Sequence, residues 1–466
     1  MYFADEGKRT STYNNFLKIV ILVLPLILFL IHYLAYYPGA FSTDSIGQYS
    51  QALSNRYSDW HPVVQTLFAF KIPLLLTNGW VGSIVFFQCV CFAGVISYLF
   101  FVLLKYTNRT YTIISMFFIL LNPQTFNIGM YPWKDVSFAI GALLLTVYAL
   151  QVCFSKGEWL KCRRNRILFI ITAALVTLFR HNGILFTVPM IIGCSFFVSK
   201  KRAAVLGLSV LMIVMGIKGP LYSAMDVKKP GQRQIETLGV PINVIGAVVT
   251  YDPDSLDNDV KEFAYKIAPK EVWEKKYVYG TYNNMKWDPQ TNNDVMEEYG
   301  AVKVVSMMFE CIKSSPKTAL RGLVELTKPT YYIVGNRSTL FEPLIVDNDY
   351  GIVRSGVEGL RMFCQTFAEQ IGKAGAFVFL NLGLMHWVLI GSILLKMKWN
   401  KFSYWKRIFF ILPVFCYNYG TTLLLTGAED ADRFFYYTFL LMPALLVFIY
   451  AKVEEEETEH SVCIEV

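Results

Sequence analysis

The sequence predicts an all-α polytopic membrane protein with about ten transmembrane helices. Of its 466 residues, 54% are hydrophobic and 17% charged, whereas a soluble protein normally has about a quarter charged residues. Apolar runs of roughly twenty residues, the length that crosses a bilayer, recur along the chain. The net charge of +8 is spread over short loops between these runs, as in cytoplasmic loops. A nucleic-acid binder would gather that charge on one face, so this class of partner is excluded.

The first part of the chain contains seven predicted spans in a transmembrane core over residues 1–218. Lys8 and Arg9 precede the first span and indicate a cytoplasmic N-terminus. The run that follows has no small-residue cleavage site, so we expect a retained helix rather than a signal peptide. The seven spans are predicted at 16–36, 81–104, 111–130, 136–154, 167–179, 184–198 and 203–218.

The segment 61–78, within the first outer loop (37–80), is apolar but short and contains Lys71 and Pro73. A lysine at the bilayer centre costs roughly 2.5–3.5 kcal/mol on insertion scales. We therefore expect a helix that lies at the outer interface, where the Lys71 stem can extend toward the headgroups. A crossing here is the alternative, but it would move the five cations of the loop 155–166 outside, against the charge bias.

A polar segment over residues 219–372 follows and predicts a small α-rich extracytoplasmic domain, with helix-like stretches at 294–312 and 355–371. Cys311 and Cys364 are its two cysteines and could form one disulfide. The C-terminal transmembrane helices (373–452) are predicted as spans at 374–395, 408–426 and 434–451. The acidic tail, 453–466, is expected to be cytoplasmic and disordered.

The stretch Tyr36–Pro62 follows the first span directly and contains a candidate catalytic acid, Asp44. A carboxylate here could act as a general base on an acceptor hydroxyl, or help to hold a divalent cation. Alternatively, Asp44 caps an amphipathic helix that continues through Gln48. His61 could carry a proton, bind a metal ion or a substrate, or simply precede a helix that starts at Pro62.

Three later short loops, predicted on the same side, carry further candidates. The second acid is Asp135, which could divide base and electrostatic roles with Asp44, share a metal ion with it, or cap the fourth span. The basic candidates are Lys134, Arg180, His181 and Arg433. Ionisable groups at membrane depth are costly and usually functional, and this set suits a phosphate or pyrophosphate in the outer leaflet. For Arg433, the alternative is an ion pair with Asp430 or Asp432.

With these residues in view, the chain resembles the GT-C superfamily of membrane glycosyltransferases, which includes the protein O-mannosyltransferases and the aminoarabinose transferase of lipid A. Those enzymes have an acid after the first span, a His-Pro that starts an interfacial helix, and a second acid in the next outer loop. Asp44, His61-Pro62 and Asp135 match this order. The resemblance covers roughly residues 16–200, and Arg433 onward loosely, and it implies a GT-C-like arrangement of the transmembrane helices.

Within the superfamily, the chain looks closest to an uncharacterised family of Gram-positive membrane proteins. The matching residues are Tyr37-Pro38-Gly39, Asp44-Ser45, Gln48, Trp133-Lys134-Asp135 and Arg180-His181-Asn182-Gly183. Many GT-C members have paired acids where this chain has Asp-Ser, which leaves open whether Asp44 and Asp135 hold Mg²⁺ or Mn²⁺.

The resemblance implies transfer of a sugar from a polyprenyl-phosphate carrier to a cell-surface glycan, teichoic acid or protein. The enzyme would lie in the cell membrane with both termini cytoplasmic and an extracytoplasmic site in the cell envelope. Asp44 would deprotonate the acceptor hydroxyl, and the cations would hold the phosphate leaving group. The alternatives are a flippase, polymerase or ligase of lipid-linked glycans, and a multi-span transporter. Transport is disfavoured because the charges lie at the outer ends of the spans.

Overall fold

The computed structural model describes residues 3–229, 235–334, 340–399 and 405–451. Regular structure within these ranges is helical, and extended pairing is confined to isolated bridges. The predicted all-α membrane class is therefore confirmed. The predicted acidic tail, 453–466, lies outside the described residues.

The helices that carry the predicted spans come in two groups along the chain. The first group is Phe3–Ala35, Ser83–Tyr106, Arg109–Leu120, Pro123–Gly129, Lys134–Phe154, Arg163–Phe179, Ile184–Ser195 and Lys200–Gly216. The second group is Glu358–Phe379, Leu382–Trp399, Trp405–Ile408, Leu412–Thr422, Ala431–Phe435 and Tyr437–Tyr450. The helix Lys134–Phe154 lies at the centre, because it packs against Ser83–Tyr106, Arg163–Phe179 and Tyr437–Tyr450.

The number of full-length spans differs from the prediction of about ten. Among the described residues, five helices are long and apolar enough to cross a bilayer, and a sixth is reached if one pair bent by 56° counts as one span. The other predicted spans are the shorter helices Arg109–Leu120, Arg163–Phe179, Ile184–Ser195 and Leu412–Thr422. Local breaks shorten them: Pro123 restricts the backbone at Asn122 and starts a new helix, and the turn at 180–183 separates two others.

The segment predicted to lie at the interface is the helix Val63–Leu76, with a π-helical turn at Leu67–Lys71. Fourteen residues at 1.5 Å per residue span about 21 Å, less than the roughly 30 Å of a bilayer core. Lys71 Nζ donates a hydrogen bond to the Ala52 carbonyl oxygen (2.9 Å), which ties the ammonium group to the loop helix Thr43–Ser54. These dimensions favour a helix that does not cross, and its depth in the bilayer stays a prediction.

Residues 235–327, which we call the insertion, form a second hydrophobic core around Trp273, Tyr277 and Tyr282. Its helices are Gly239–Tyr251, Asn258–Ile267, Lys270–Lys276, Asn283–Lys286, Val295–Ser314 and Pro316–Thr327. The helix predicted at 294–312 is therefore present as Val295–Ser314.

The chain from residue 340 onward returns to the larger hydrophobic core, which the helices outside the insertion form and which we call the membrane core. Phe41 and Ile345 lie side by side in a parallel bridge, with Phe41 N–H donating to Leu344 O and Val346 N–H to Phe41 O (both 2.9 Å). The helix predicted at 355–371 is present as Glu358–Phe379 and packs against Phe3–Ala35. The predicted domain boundary at 372 falls inside this helix.

The cysteines of the polar segment do not form the disulfide considered from the sequence. Both Cys311 and Cys364 are free and buried. Cys311 packs in the core of the insertion, whereas Cys364 packs in the membrane core. Membership of two different cores accounts for the absence of a bond between them.

Candidate active site

The turn after the first helix sets the position of Asp44. Gly39 has a φ of +126°, which disfavours other residues, and a Cβ there would collide with the Val85 side chain. Ser42 is the N-cap of the helix Thr43–Ser54, and its hydroxyl accepts a hydrogen bond from the Ser45 N–H (3.4 Å). Asp44 lies in the first turn and is not the cap, so its carboxylate is available for other contacts.

Asp135 is almost fully buried, with 2% of its surface exposed, and is held by two arginines. Its Oδ1 pairs with Arg180 Nη1, and its Oδ2 lies 3.0 Å from Arg433 Nε. The guanidinium of Arg180 stacks over Phe434 (4.2 Å) and that of Arg433 over Trp133 (4.8 Å). Buried charges are tolerated when they are paired and hydrogen-bonded, so this acid fixes the position of both arginines.

Arg433 also bridges Asp135 to Asp44, whose Oδ2 lies 3.2 Å from Arg433 Nη2. Burial raises the pKa of the Asp44 carboxyl, but the positive charges of Arg433 and Lys134 outweigh it, so the pKa lies below its ordinary value. Asp44 is therefore ionised at neutral pH. Arg433 therefore pairs with Asp44 and Asp135, rather than with the neighbouring acids alone.

His61 lies between the carboxylate of Asp44 and the ammonium of Lys134. Lys134 Nζ donates to His61 Nδ1 (3.3 Å), and His61 Nε2 lies 3.9 Å from Asp44 Oδ1. Burial, followed by the charge of Lys134, lowers the pKa of His61 to about 3. The imidazole is therefore neutral, and because Nδ1 accepts, its proton is on Nε2 and faces Asp44.

The turn Arg180–Gly183 is held on both sides. Asn182 Oδ1 accepts from Arg180 Nε (3.3 Å), and Asn182 Nδ2 donates to Thr421 Oγ1 (2.6 Å). His181 Nε2 donates to the Asp59 carbonyl oxygen (3.0 Å). A Cβ on Gly183 would collide with the Val176 carbonyl, which explains the glycine.

These loops meet around one cavity of about 630 Å³. The predicted site residues that line it are Asp44, His61, Lys134, Arg180, His181 and Arg433. Asp135 lies behind the arginines instead. Gln48 is buried away from the cavity lining and donates to Gln65 and to Thr66 Oγ1 (2.9 Å), contacts that indicate packing between helices.

Further cavity residues were not singled out as candidates from the sequence. They are Asp59, Trp60, Asn182, Asn283, Lys286, Trp287, Thr421 and Asp430, among others. Asp59 and Trp60 adjoin His61 in the sequence, so their position could have indicated that they line the same site. Asn283, Lys286 and Trp287 belong to the insertion, and nothing in their local sequence shows that the insertion reaches this site.

The carboxylates considered as metal ligands do not leave an open position between them. Arg433 lies between Asp44 and Asp135, and its guanidinium supplies the positive charge there. Among the described residues, no group of three or more His, Cys, Asp or Glu side chains could hold a metal ion. A role of Asp44 and Asp135 as ligands of Mg²⁺ or Mn²⁺ stays a prediction.

A comparison of the sequence with protein-family models and with curated proteins gives no match. Among solved structures, the chain is similar to the archaeal oligosaccharyltransferase AglB from Archaeoglobus fulgidus, determined in complex with an inhibitory peptide and a dolichol-phosphate. The identity is 12% and the TM-score 0.41, and the match covers 93% of this chain. The chain spans about half the length of that protein, at 50% coverage. A likeness this distant identifies neither the activity nor a site residue of the chain.

Proposed function

We propose that the protein is a membrane glycosyltransferase that moves a sugar from a polyprenyl-phosphate carrier to a cell-surface acceptor, on the extracytoplasmic face. The observation that carries this proposal is the position of Asp44. Its ionised carboxylate lines the cavity beside Arg433, Lys134 and neutral His61. A base and a group of cations in one cavity are what transfer from a phosphate leaving group needs.

In the proposed reaction, Asp44 accepts the proton of an acceptor hydroxyl. The hydroxyl oxygen then forms a bond to the anomeric carbon, while the bond from that carbon to the carrier phosphate oxygen breaks. The bonding pair leaves with the phosphate, and the sugar is inverted because attack and departure lie on opposite faces. A lowered pKa makes Asp44 a weak base that is nevertheless always ionised near neutral pH.

The cations beside Asp44 stabilise the phosphate as its charge develops. Arg433, Lys134 and His181 line the cavity and are the candidate phosphate contacts. Asp135 acts through the arginines, so we assign it as a positioning residue rather than a catalytic one. Without Asp135, two guanidinium groups would lose the anion that orients them.

The cavity also has an apolar side where the first units of a polyprenyl chain could pack. It is formed by Ile184, Leu185, Leu424, Leu425 and Phe434. Ile184 is exposed and lies at the start of a membrane helix. A ligand with a charged phosphate and an apolar tail would match this distribution of polar and apolar lining.

The test is the substitution Asp44→Asn, which keeps the shape of the side chain and removes its charge. We expect loss of one surface glycan modification, since a positioned base contributes typically about 10²–10⁴-fold to rate. The measurement is envelope glycan composition by mass spectrometry in a deletion strain complemented with each variant. Asp254→Asn, an exposed change in the insertion, is the matched control and should restore the wild-type envelope.

The same experiment separates the proposal from its alternative. A flippase, polymerase or ligase of lipid-linked glycans could use the cations but needs no base at Asp44. Normal modification by a fully expressed Asp44→Asn protein would therefore exclude a transferase in which Asp44 is the base.

A further inference from the structure

One tryptophan of the insertion is unusually exposed for a residue that lines a cavity. Trp287 is 71% exposed and shares the cavity with Asp44 and Arg433. An indole ring is largely apolar, so leaving it in water forgoes the stabilisation that burial would bring. A ring in this position is suited to contact with a ligand.

The backbone that carries Trp287 is held on both sides. Its N–H donates to the Met285 carbonyl, as the Asp288 N–H does (2.9 Å). The next contact comes from Asn293 Nδ2, which donates to the Lys286 carbonyl oxygen (2.9 Å). The ring is therefore presented by an ordered turn, which lowers the entropy cost of binding to it.

The same turn is fastened to the segment that precedes Arg433. Tyr282 N–H donates to Thr426 O (2.7 Å), and Ala428 N–H donates to Gly280 O (2.9 Å). The side chain of Asn283 accepts from Thr426 Oγ1 (2.6 Å) and donates to Asp430 Oδ2 (2.9 Å). These contacts make the Trp287 turn a fixed wall of the candidate active site.

We propose that this wall is a saccharide-binding subsite for the acceptor, with Trp287 as its stacking platform. The C–H face of a pyranose ring is apolar and packs on an aromatic face, while its hydroxyls need hydrogen-bonding groups around the edge. Lys286 and Asp430 line the cavity with Trp287 and supply a donor and an acceptor. Lys286 Nζ lies 5.0 Å from the centroid of the Trp287 ring, so the saccharide would stack on the opposite face. This proposal rests on the proposed function, and it selects a glycan over a protein as acceptor.

The chemistry of the lining favours a saccharide over a lipid headgroup as the ligand of Trp287. Tryptophan also marks membrane interfaces, where its ring packs among headgroups and acyl chains. The residues that line the cavity from the Trp287 turn are polar, namely Asn283 and Lys286, and the aliphatic lining comes from residues outside the insertion.

The experiment is saturation-transfer NMR on the full chain in lipid nanodiscs. The probes are the methyl glycosides of glucose, galactose, mannose and N-acetylglucosamine, titrated to give a Kd. We expect at least one to bind wild type, with Trp287→Ala weakening binding about tenfold, equivalent to about 1.4 kcal/mol. Trp287→Phe should restore most of the affinity because a ring is retained.

The matched control is Trp80→Ala, which removes a tryptophan that is 41% exposed and not part of the cavity lining. It should leave the Kd unchanged. Binding that is absent in wild type, or equal in wild type and Trp287→Ala, would overturn the subsite. A loss of melting temperature in Trp287→Ala with unchanged sugar binding would show an interfacial anchor instead.

The experiment also separates this subsite from the proposed function. Sugar binding that depends on Trp287, together with an unaltered envelope in the Asp44→Asn strain, would retain the subsite and reject the transferase. Absent sugar binding with an altered envelope would do the reverse.

Discussion

Removal of Arg433 is the change that most directly tests the electrostatics of the site. Arg433 contacts both Asp44 (3.2 Å) and Asp135 (3.0 Å). In Arg433→Gln, Asp135 keeps its ion pair with Arg180, whereas Asp44 loses its nearest cation. We therefore expect the fold to persist and the pKa of Asp44 to rise, because burial then opposes ionisation with less compensation.

The size of the effect follows from the geometry. Two unit charges 3.2 Å apart interact by about 5 kcal/mol at an effective dielectric constant of about 20. The Asp44 side chain is 34% exposed, so solvent screens this pair. Because Arg433 is the first-named charge that lowers the pKa of Asp44, Arg433→Gln should raise that pKa.

The assay is infrared difference spectroscopy of the purified protein across an acid titration. The band of the protonated Asp44 carboxyl is the one that is missing from Asp44→Asn. Arg433→Lys is the control, since it keeps the positive charge and should give a midpoint between those of wild type and Arg433→Gln. The same midpoint in wild type and Arg433→Gln would refute the assignment of Arg433 as the residue that keeps Asp44 ionised.

The direction in which folding stability changes with pH follows from the same pKa. Because the pKa of Asp44 is lowered in the folded protein, its pairing stabilises the fold at neutral pH. That stabilisation is lost as the pH falls through the lowered pKa. Arg433→Gln should therefore lose it at a higher pH than wild type does.

Two further substitutions test the architecture that holds the site. Asn418→Leu removes the hydrogen-bond partner of three buried groups, on His386, Thr438 and Tyr437. Each lost partner costs about 1–3 kcal/mol, so the melting temperature in detergent should fall by several degrees. An unchanged melting temperature would show that this network contributes little. Gly39→Ala places a Cβ against the Val85 side chain at a positive φ, so thermal stability should fall. Gly47 has open space around it, so Gly47→Ala should have little effect. Equal stability of the two variants would contradict the tight turn at Gly39.

The class of the protein follows from the sequence because hydropathy is a local property that adds along the chain. The apolar runs predict helices that the structure contains, and Lys134–Phe154 is found close to its predicted bounds. The breaks are harder to predict. A proline at 123 and a turn at 180–183 interrupt runs whose average hydropathy is high, so the helices there are shorter than the predicted spans.

The candidate residues also came from sequence, since charges next to apolar runs are costly and therefore conspicuous. The roles of these residues could not be predicted from the sequence. Asp44 and Asp135 are similar in sequence context, yet one lines the cavity and the other is buried behind two arginines. Gln48 belongs to the same loop helix as Asp44 but lies on its packed side.

The sequence alone thus determined the membrane class, the approximate spans and the set of charged residues at their ends. Only the tertiary structure decided that Arg433 joins Asp44 to Asp135, and that Trp287 of the insertion reaches the same cavity. The physical reason is that burial of an apolar run depends on its own composition, whereas an ion pair depends on which distant segments the packing brings within a few ångströms. Residues from opposite ends of the chain meet here because the membrane helices and the insertion pack around one cavity.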